Sequence, residues 1–196
     1  MIVGYIKEPK RIPLLLRFGI YIAEKKTGKV MEPARILSWY PKAALGSGIL
    51  ESLVTHEDAG ISKRLLQLIR MQVSLLVNCK FCIDMNGNEF EKQQITPEEV
   101  FALEGLKSLE EVGSFSKEER IALLYAQDLT NTPAADDTEA ANQMKLVFNE
   151  RQFVIIATTI AQVNYWTRLI KGLGVKPAGF RTDCSLNGKP GEYIEK

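Results

Sequence analysis

The chain has 196 residues, of which 45% are apolar, enough to fold around a core of its own and too many for a disordered segment. Its 25 Lys and Arg almost balance 24 Asp and Glu, for a net charge of +1, so no basic excess is on offer to nucleic-acid phosphates. The single histidine, His56, excludes zinc sites built from several histidines. The three cysteines, Cys79, Cys82 and Cys184, are too few for a disulfide-stapled secreted scaffold.

Membrane and targeting signals are missing from the pattern. Arg17 interrupts the apolar run Leu14-Leu15-Leu16, and no small-residue cleavage site follows it. The longest apolar candidate, Phe153–Val163, contains Thr158, Thr159 and Gln162 and has the length of a buried helix rather than a spanning one. The expected compartment is the cytoplasm, where paired thiols point to redox or metal chemistry more than to structural bridging.

Taken in order, the chain reads as one helix after another. Pro13 opens a first helix over Leu14–Lys25, and the stretch 28–33 breaks it. Short helices are predicted over Ala34–Trp39 and from Pro41 to about Leu53. Ser62 is a candidate N-cap for Arg64–Asn78. Its polar residues Arg64, Gln67, Arg70, Ser74 and Asn78 form a narrow stripe on an otherwise apolar cylinder, the mark of a mostly buried helix. Asn78 is expected to cap the next helix, which starts at Cys79 and weakens at Gly87. Thr96-Pro97-Glu98-Glu99 and Ser116-Lys117-Glu118-Glu119 are capping boxes, the second opening a helix to about Leu129. Thr132-Pro133 is loop, and Asp137 or Thr138 starts a helix to Phe148. Asn149 and Gln152 cap the longest, Glu150–Lys171, closed by Gly172 and Gly174. Beyond Val175 a Gly- and Pro-rich surface tail is expected. No strand-like alternation persists, so the predicted class is all-α.

Cys79-Lys80-Phe81-Cys82 is the one constellation with a chemical look. Cysteines at i and i+3 share a helix face, and their sulfurs can join if the first sits in the opening turn. Orphan amides and the positive dipole end of a helix N-terminus stabilise a thiolate, lowering a thiol from about 8.5 into the range of roughly 3.5–7.5. Two bland alternatives compete: a pair of buried apolar thiols, or half of a zinc site completed by the distant Cys184 and His56.

The stretch Leu65–Asn86, LLQLIRMQVSLLVNCKFCIDMN, resembles the core of the alkylhydroperoxidase D-like proteins of the carboxymuconolactone decarboxylase superfamily, in its peroxidase-related branch. Ser114–Thr132, SFSKEERIALLYAQDLTNT, is similar to a later helix of that family. Phe148–Val175 is similar to its closing helix, with Asn164-x-x-x-Arg168 and Leu173-Gly174-Val175. The resemblance implies an α-helical domain over 30–178, preceded by a helical extension (1–29) and followed by a tail (179–196). It implies a multi-helix bundle that assembles as a homo-oligomer, a dimer, trimer or hexamer. It implies thiol-dependent peroxide reduction without a cofactor or metal. Cys82 would attack the peroxide and Cys79 would resolve the sulfenic acid into a disulfide. A lipoyl or thioredoxin-like dithiol would reduce it again. The family's proton-relay histidine falls on Asn86 and its glutamate on Gln67. Neither residue here carries a proton near neutral pH, and such relays are worth roughly 10²–10⁴-fold, so weak activity is expected.

The alternatives are a catalytically silent helical oligomer that binds a small ligand or partner, and a lactone decarboxylase. Among the remaining residues, His56, Glu57 and Asp58 read as solvated loop. Tyr165 and Trp166 read as core or oligomer contacts, with lining of the thiol pocket as the alternative, and Arg168 as a structural partner of an acid. Arg70 is a distant influence on the thiols, and Cys184 a spectator.

Overall fold

The computed structural model describes residues 4–55, 60–88, 90, 92–134 and 136–180. His56, Glu57, Asp58 and Cys184 lie outside the described residues. Among those described run nine α-helices, two 3₁₀ turns and no strand, which is the expected all-α class. The helices are α1 (Leu14–Thr27), α2 (Glu32–Leu37), α3 (Pro41–Glu51), α4 (Lys63–Leu76), α5 (Lys80–Gly87), α6 (Pro97–Leu103), α7 (Lys117–Thr130), α8 (Glu139–Val147) and α9 (Glu150–Leu173). None is long and apolar enough to cross a membrane.

α4 is the axis. Ser62 caps it as its sequence implies, with Oγ accepting from the Leu65 N–H at 3.0 Å. Because α4 is apolar nearly all round, it has to be enclosed on more than one side. Leu65, Leu66, Ile69 and Val73 pack with Ala122 and Ala126 of α7, Met144 of α8 and Ile156 and Ile160 of α9. Leu68 and Met71 pack with Ile83 of α5, Val100 and Leu103 of α6 and Leu123 of α7. Each such side chain contributes about 1.5–3 kcal/mol on leaving water.

The capping boxes at Thr96, Ser116 and Asn149 all form, and a further one at Ser108 with Glu111 opens a 3₁₀ turn. Thr138, not Asp137, caps α8. Two of the box glutamates have a second task. Glu99 and Glu119 both turn onto the guanidinium of Arg64, which donates from Nε to Glu119 Oε1 at 2.9 Å and from Nη2 to Glu99 Oε1. Ser114 Oγ donates to the same Glu99 oxygen at 2.6 Å. The openings of α6 and α7 are therefore clamped to the first turn of α4.

α9 ends at Gly174, which has φ 67°. Its N–H bonds to Lys171 O and that of Val175 to Ile170 O, each at 3.1 Å, a Schellman closure. A Cβ on Gly174 would meet Tyr5 Cδ1 at 2.7 Å, so the glycine also makes room for the N-terminal segment laid across the helix end. The chain then turns back toward α5. Residues 175–180 are not a free surface tail, because Val175, Ala178 and Phe180 pack onto the α5 cluster.

Candidate active site

α4 stops just short of the cysteines. Asn78 takes the left-handed conformation, φ 51°, and closes α4 in a Schellman arrangement, with its N–H on Leu75 O at 2.9 Å and that of Cys79 on Ser74 O at 3.0 Å. The expectation that Asn78 caps the next helix is therefore corrected, since the residue is occupied in ending the previous one. Cys79 is the N-cap of α5, and the helix proper starts at Lys80. The Cys79 Sγ accepts from the Cys82 N–H at 3.4 Å, standing where a serine or aspartate oxygen would stand.

That placement makes the two thiols unequal. The Cys79 thiol is held below its ordinary range, first by the hydrogen bond that the Cys82 thiol gives its sulfur, then by the α5 backbone amides and the Lys171 charge, all against the cost of burial. Cys82 is pushed up, because its proton is held by the Cys79 sulfur and because burial, the Cys79 charge and Glu51 all oppose a second anion. The pair thus favours one thiolate, on Cys79, and one thiol, on Cys82. Lys171 reaches this corner from α9 and donates from Nζ to Val77 O at 2.8 Å.

Both cysteines are nearly sealed, Cys79 at 0% exposure and Cys82 at 3%. Phe81, Ile36, Ile170 and Val175 pack with them, with Trp166, Ala178 and Phe180 at the edge. The cover is a strap, residues 175–180. Asp84 Oδ2 accepts from the Gly179 N–H at 2.8 Å and the Phe180 N–H at 3.1 Å, and the Phe180 ring stands edge-on to Phe81 at 6.1 Å.

Gln67 and Asn86 do come together. Gln67 Nε2 donates to the Asn86 carbonyl oxygen, and Asn86 Nδ2 donates to Ser74 Oγ at 3.0 Å. These bonds tie α4 to α5, and neither amide transfers a proton. Trp166 packs beside the cysteines, whereas Tyr165 Oη shares a hydrogen bond with Ser47 Oγ at 2.6 Å. Arg168 bonds Asn164 and the Thr130 carbonyl rather than an acid. Arg70 faces the Glu51 carboxylate.

Glu51, at the end of α3, was not singled out from the sequence. It is half-buried, and Gln162 Nε2 donates to its Oε2 at 3.0 Å. Burial lifts its carboxyl above the ordinary range, against the Trp166 indole, the Arg70 charge and the Gln162 amide. The Trp166 N–H makes no hydrogen bond of standard geometry, yet lies near enough to this carboxylate to favour its charge. One glutamate closing an apolar helix carries no local signal, because only folding brings α3 to α9.

No protein-family model matches the chain. The uncharacterized protein YdfG of Bacillus subtilis is 26% identical over 144 residues, 72% of this chain and 96% of that one. Among solved structures, an alkylhydroperoxidase AhpD core, an uncharacterized peroxidase-related protein from Ralstonia eutropha, superposes with a TM-score of 0.74 at 16% identity over 89% of this chain and 92% of that one. The debrominase Bmp8 bound to 2,3,4-tribromopyrrole superposes with a TM-score of 0.73 at 18% identity over 89% of this chain and 93% of that one. The architecture of this chain is the alkylhydroperoxidase AhpD-like fold, the one its cysteine-bearing helix pair resembles.

Proposed function

We propose that the chain is a thiol oxidoreductase whose Cys79–Cys82 pair cycles between dithiol and disulfide, with a peroxide as oxidant. The observation that carries this reading is the Cys79 sulfur at the N-cap of α5, accepting the Cys82 N–H at 3.4 Å. The Cys79 thiolate attacks one peroxide oxygen. An S–O bond forms, the O–O bond breaks, and the departing alkoxide takes a proton. The Cys82 sulfur then attacks the Cys79 sulfur, the S–S bond forms, and hydroxide leaves with the Cys82 proton as water. A lipoyl or thioredoxin-like dithiol restores the pair, passing its two electrons to the disulfide. This order departs from the one the resemblance implies, because Cys79 is the sulfur whose charge is stabilised. A reducing compartment such as the cytoplasm keeps the resting pair as a dithiol.

The test is the alkylation rate against pH for wild type, Cys79→Ser and Cys82→Ser, together with mass spectrometry after offering hydrogen peroxide, an organic hydroperoxide and a bromopyrrole. The expected result is a thiolate titrating well below about 8.5, lost in Cys79→Ser and kept in Cys82→Ser. The wild type loses two hydrogens on oxidation and regains them with dithiothreitol. Two ordinary, sluggish thiols would leave only a helical scaffold that binds a ligand or partner.

The chain works as a homo-oligomer joined through α1. That helix buries none of its residues, and Leu14, Phe18 and Ile22, one turn apart on one face, are 81%, 64% and 50% exposed. The opposite face, with Leu16, Ile20 and Ala23, is only half-buried, and a 14-residue helix held so lightly is marginal in water, so a second copy is the natural cover for the exposed face. Phe18→Glu with Ile22→Glu should lower the mass in sedimentation to that of one chain; a wild type already sedimenting as one chain would refute the interface.

A further inference from the structure

We infer that Glu51 accepts the Cys82 proton when the disulfide closes, taking the place of the missing relay at Gln67 and Asn86. The inference rests on the dithiol reading above and names the group that completes it.

The geometry runs along one face of α9. Gln162, Trp166 and Ile170 lie at i, i+4 and i+8 and so line up along the helix. At one end Gln162 holds Glu51, donating from Nε2 to Oε2 at 3.0 Å. At the other, Ile170 belongs to the buried cluster that holds Cys79 and Cys82, and Trp166 packs against that cluster. Glu51 makes no hydrogen bond to Cys82, but it lies within range for its charge to oppose an anion there. The groups facing it are Arg70 from α4, Gln162 and Trp166 from α9, and the cysteines of α5, with Lys171 of α9 acting on Cys79. A carboxylate here is costly to bury, and the partial compensation by one amide, one indole and one arginine leaves it easier to protonate than an ordinary glutamate. That is the property a proton acceptor near a neutral-pH thiol needs.

Oxidation by the peroxide leaves Cys79 as a sulfenic acid and Cys82 as a thiol. The Cys82 S–H bond breaks and its proton passes by way of one water to the Glu51 carboxylate. The freed electron pair forms the S–S bond, the Cys79 S–O bond breaks, and the leaving hydroxide takes the proton from Glu51 as water. Glu51 ends as it began. Its protonation also removes the negative charge that opposes the anion at Cys82.

The experiment uses the full chain, reduced and freed of reductant, with hydrogen peroxide as probe. Sulfenic acid is followed by dimedone trapping and disulfide by loss of two hydrogens, from pH 5 to 9, in wild type and Glu51→Gln. In wild type, disulfide closure should show a carboxylate limb lying above the ordinary glutamate range. Glu51→Gln should lose that limb and close roughly 10²-fold more slowly, with dimedone-trapped sulfenic acid accumulating and Cys79 still alkylated at low pH. Equal closure at every pH in the two proteins would overturn the role of Glu51 while leaving the dithiol cycle standing. No oxidation of wild type at all would instead remove the dithiol cycle, and this role with it. If Glu51→Gln does not fold, Gln162→Leu decides. Losing the amide donor makes the carboxylate easier to protonate, so the limb should move to higher pH; an unmoved limb in a folded Gln162→Leu refutes the assignment.

Discussion

Replacing Arg64 with methionine should destabilise the chain by about 3 kcal/mol, the size expected when one partner of a buried ion pair is removed. Glu99 is 0% exposed and keeps its charge at neutral pH only because Arg64, Ser114 and the Thr96 N–H offset its burial. Without the guanidinium, the carboxylate is left in the core between α4 and α6, and Glu119 loses its bond at 2.9 Å. The sign of the pH dependence follows from the direction of the shift. The folded carboxyl lies below its ordinary value of 4.5, so its contribution is complete above that value and fades as pH falls through the folded one. In Arg64→Met burial is no longer offset by the guanidinium, so the same carboxyl is pushed up and takes its proton at a higher pH than in wild type. The gap between variant and wild type should therefore be widest at pH 7 and narrow below about pH 4. Urea unfolding at the two pH values measures it, and adding Glu99→Gln should recover part of the loss. A cost under about 1 kcal/mol at pH 7 would place this cluster among ordinary surface pairs.

Asp84→Ala should open the dithiol. The two amides of the strap, Gly179 N–H and Phe180 N–H, converge on one carboxylate oxygen. Hydrogen bonds to a charged group are worth about 1.5–3 kcal/mol each, so losing them raises the open population of the strap by at least an order of magnitude. Reagents reach sulfurs at 0% and 3% exposure only through such openings. Alkylation of Cys79 should then speed up about tenfold or more, with little change in global stability, because the α4 core does not include the strap. Unchanged alkylation would mean that reagents enter from another side of the α5 cluster. The strap also reconciles a stabilised thiolate with near-complete burial: the closed form protects the pair, and reaction belongs to the open one.

Local rules account for most of what could be read in advance. Each capping box named from spacing forms, because the hydroxyl or amide and the glutamate or glutamine three residues on bond to neighbouring backbone whatever the rest of the chain does. The narrow polar stripe of α4 required burial on several sides, and the helix became the axis of the bundle. The cysteine pair was legible because i and i+3 is a statement about one turn. Asn78 was misread for a related reason: asparagine serves both to start and to stop helices, and its left-handed φ reflects how α4 and α5 meet.

Long-range placement followed other causes. Glu51, Trp166, Gln162, Lys171 and the strap on Asp84 come from α3, α5, α9 and the segment after it, far apart in the chain, and no periodicity connects them. The chain's own pattern was sufficient for helices, caps and a cysteine pair on one helical turn, since those depend on neighbours within a turn or two. Which sulfur holds the charge, which carboxylate faces it and what shuts it from water depend on packing and desolvation among distant segments, and those energies exist only once the bundle has closed.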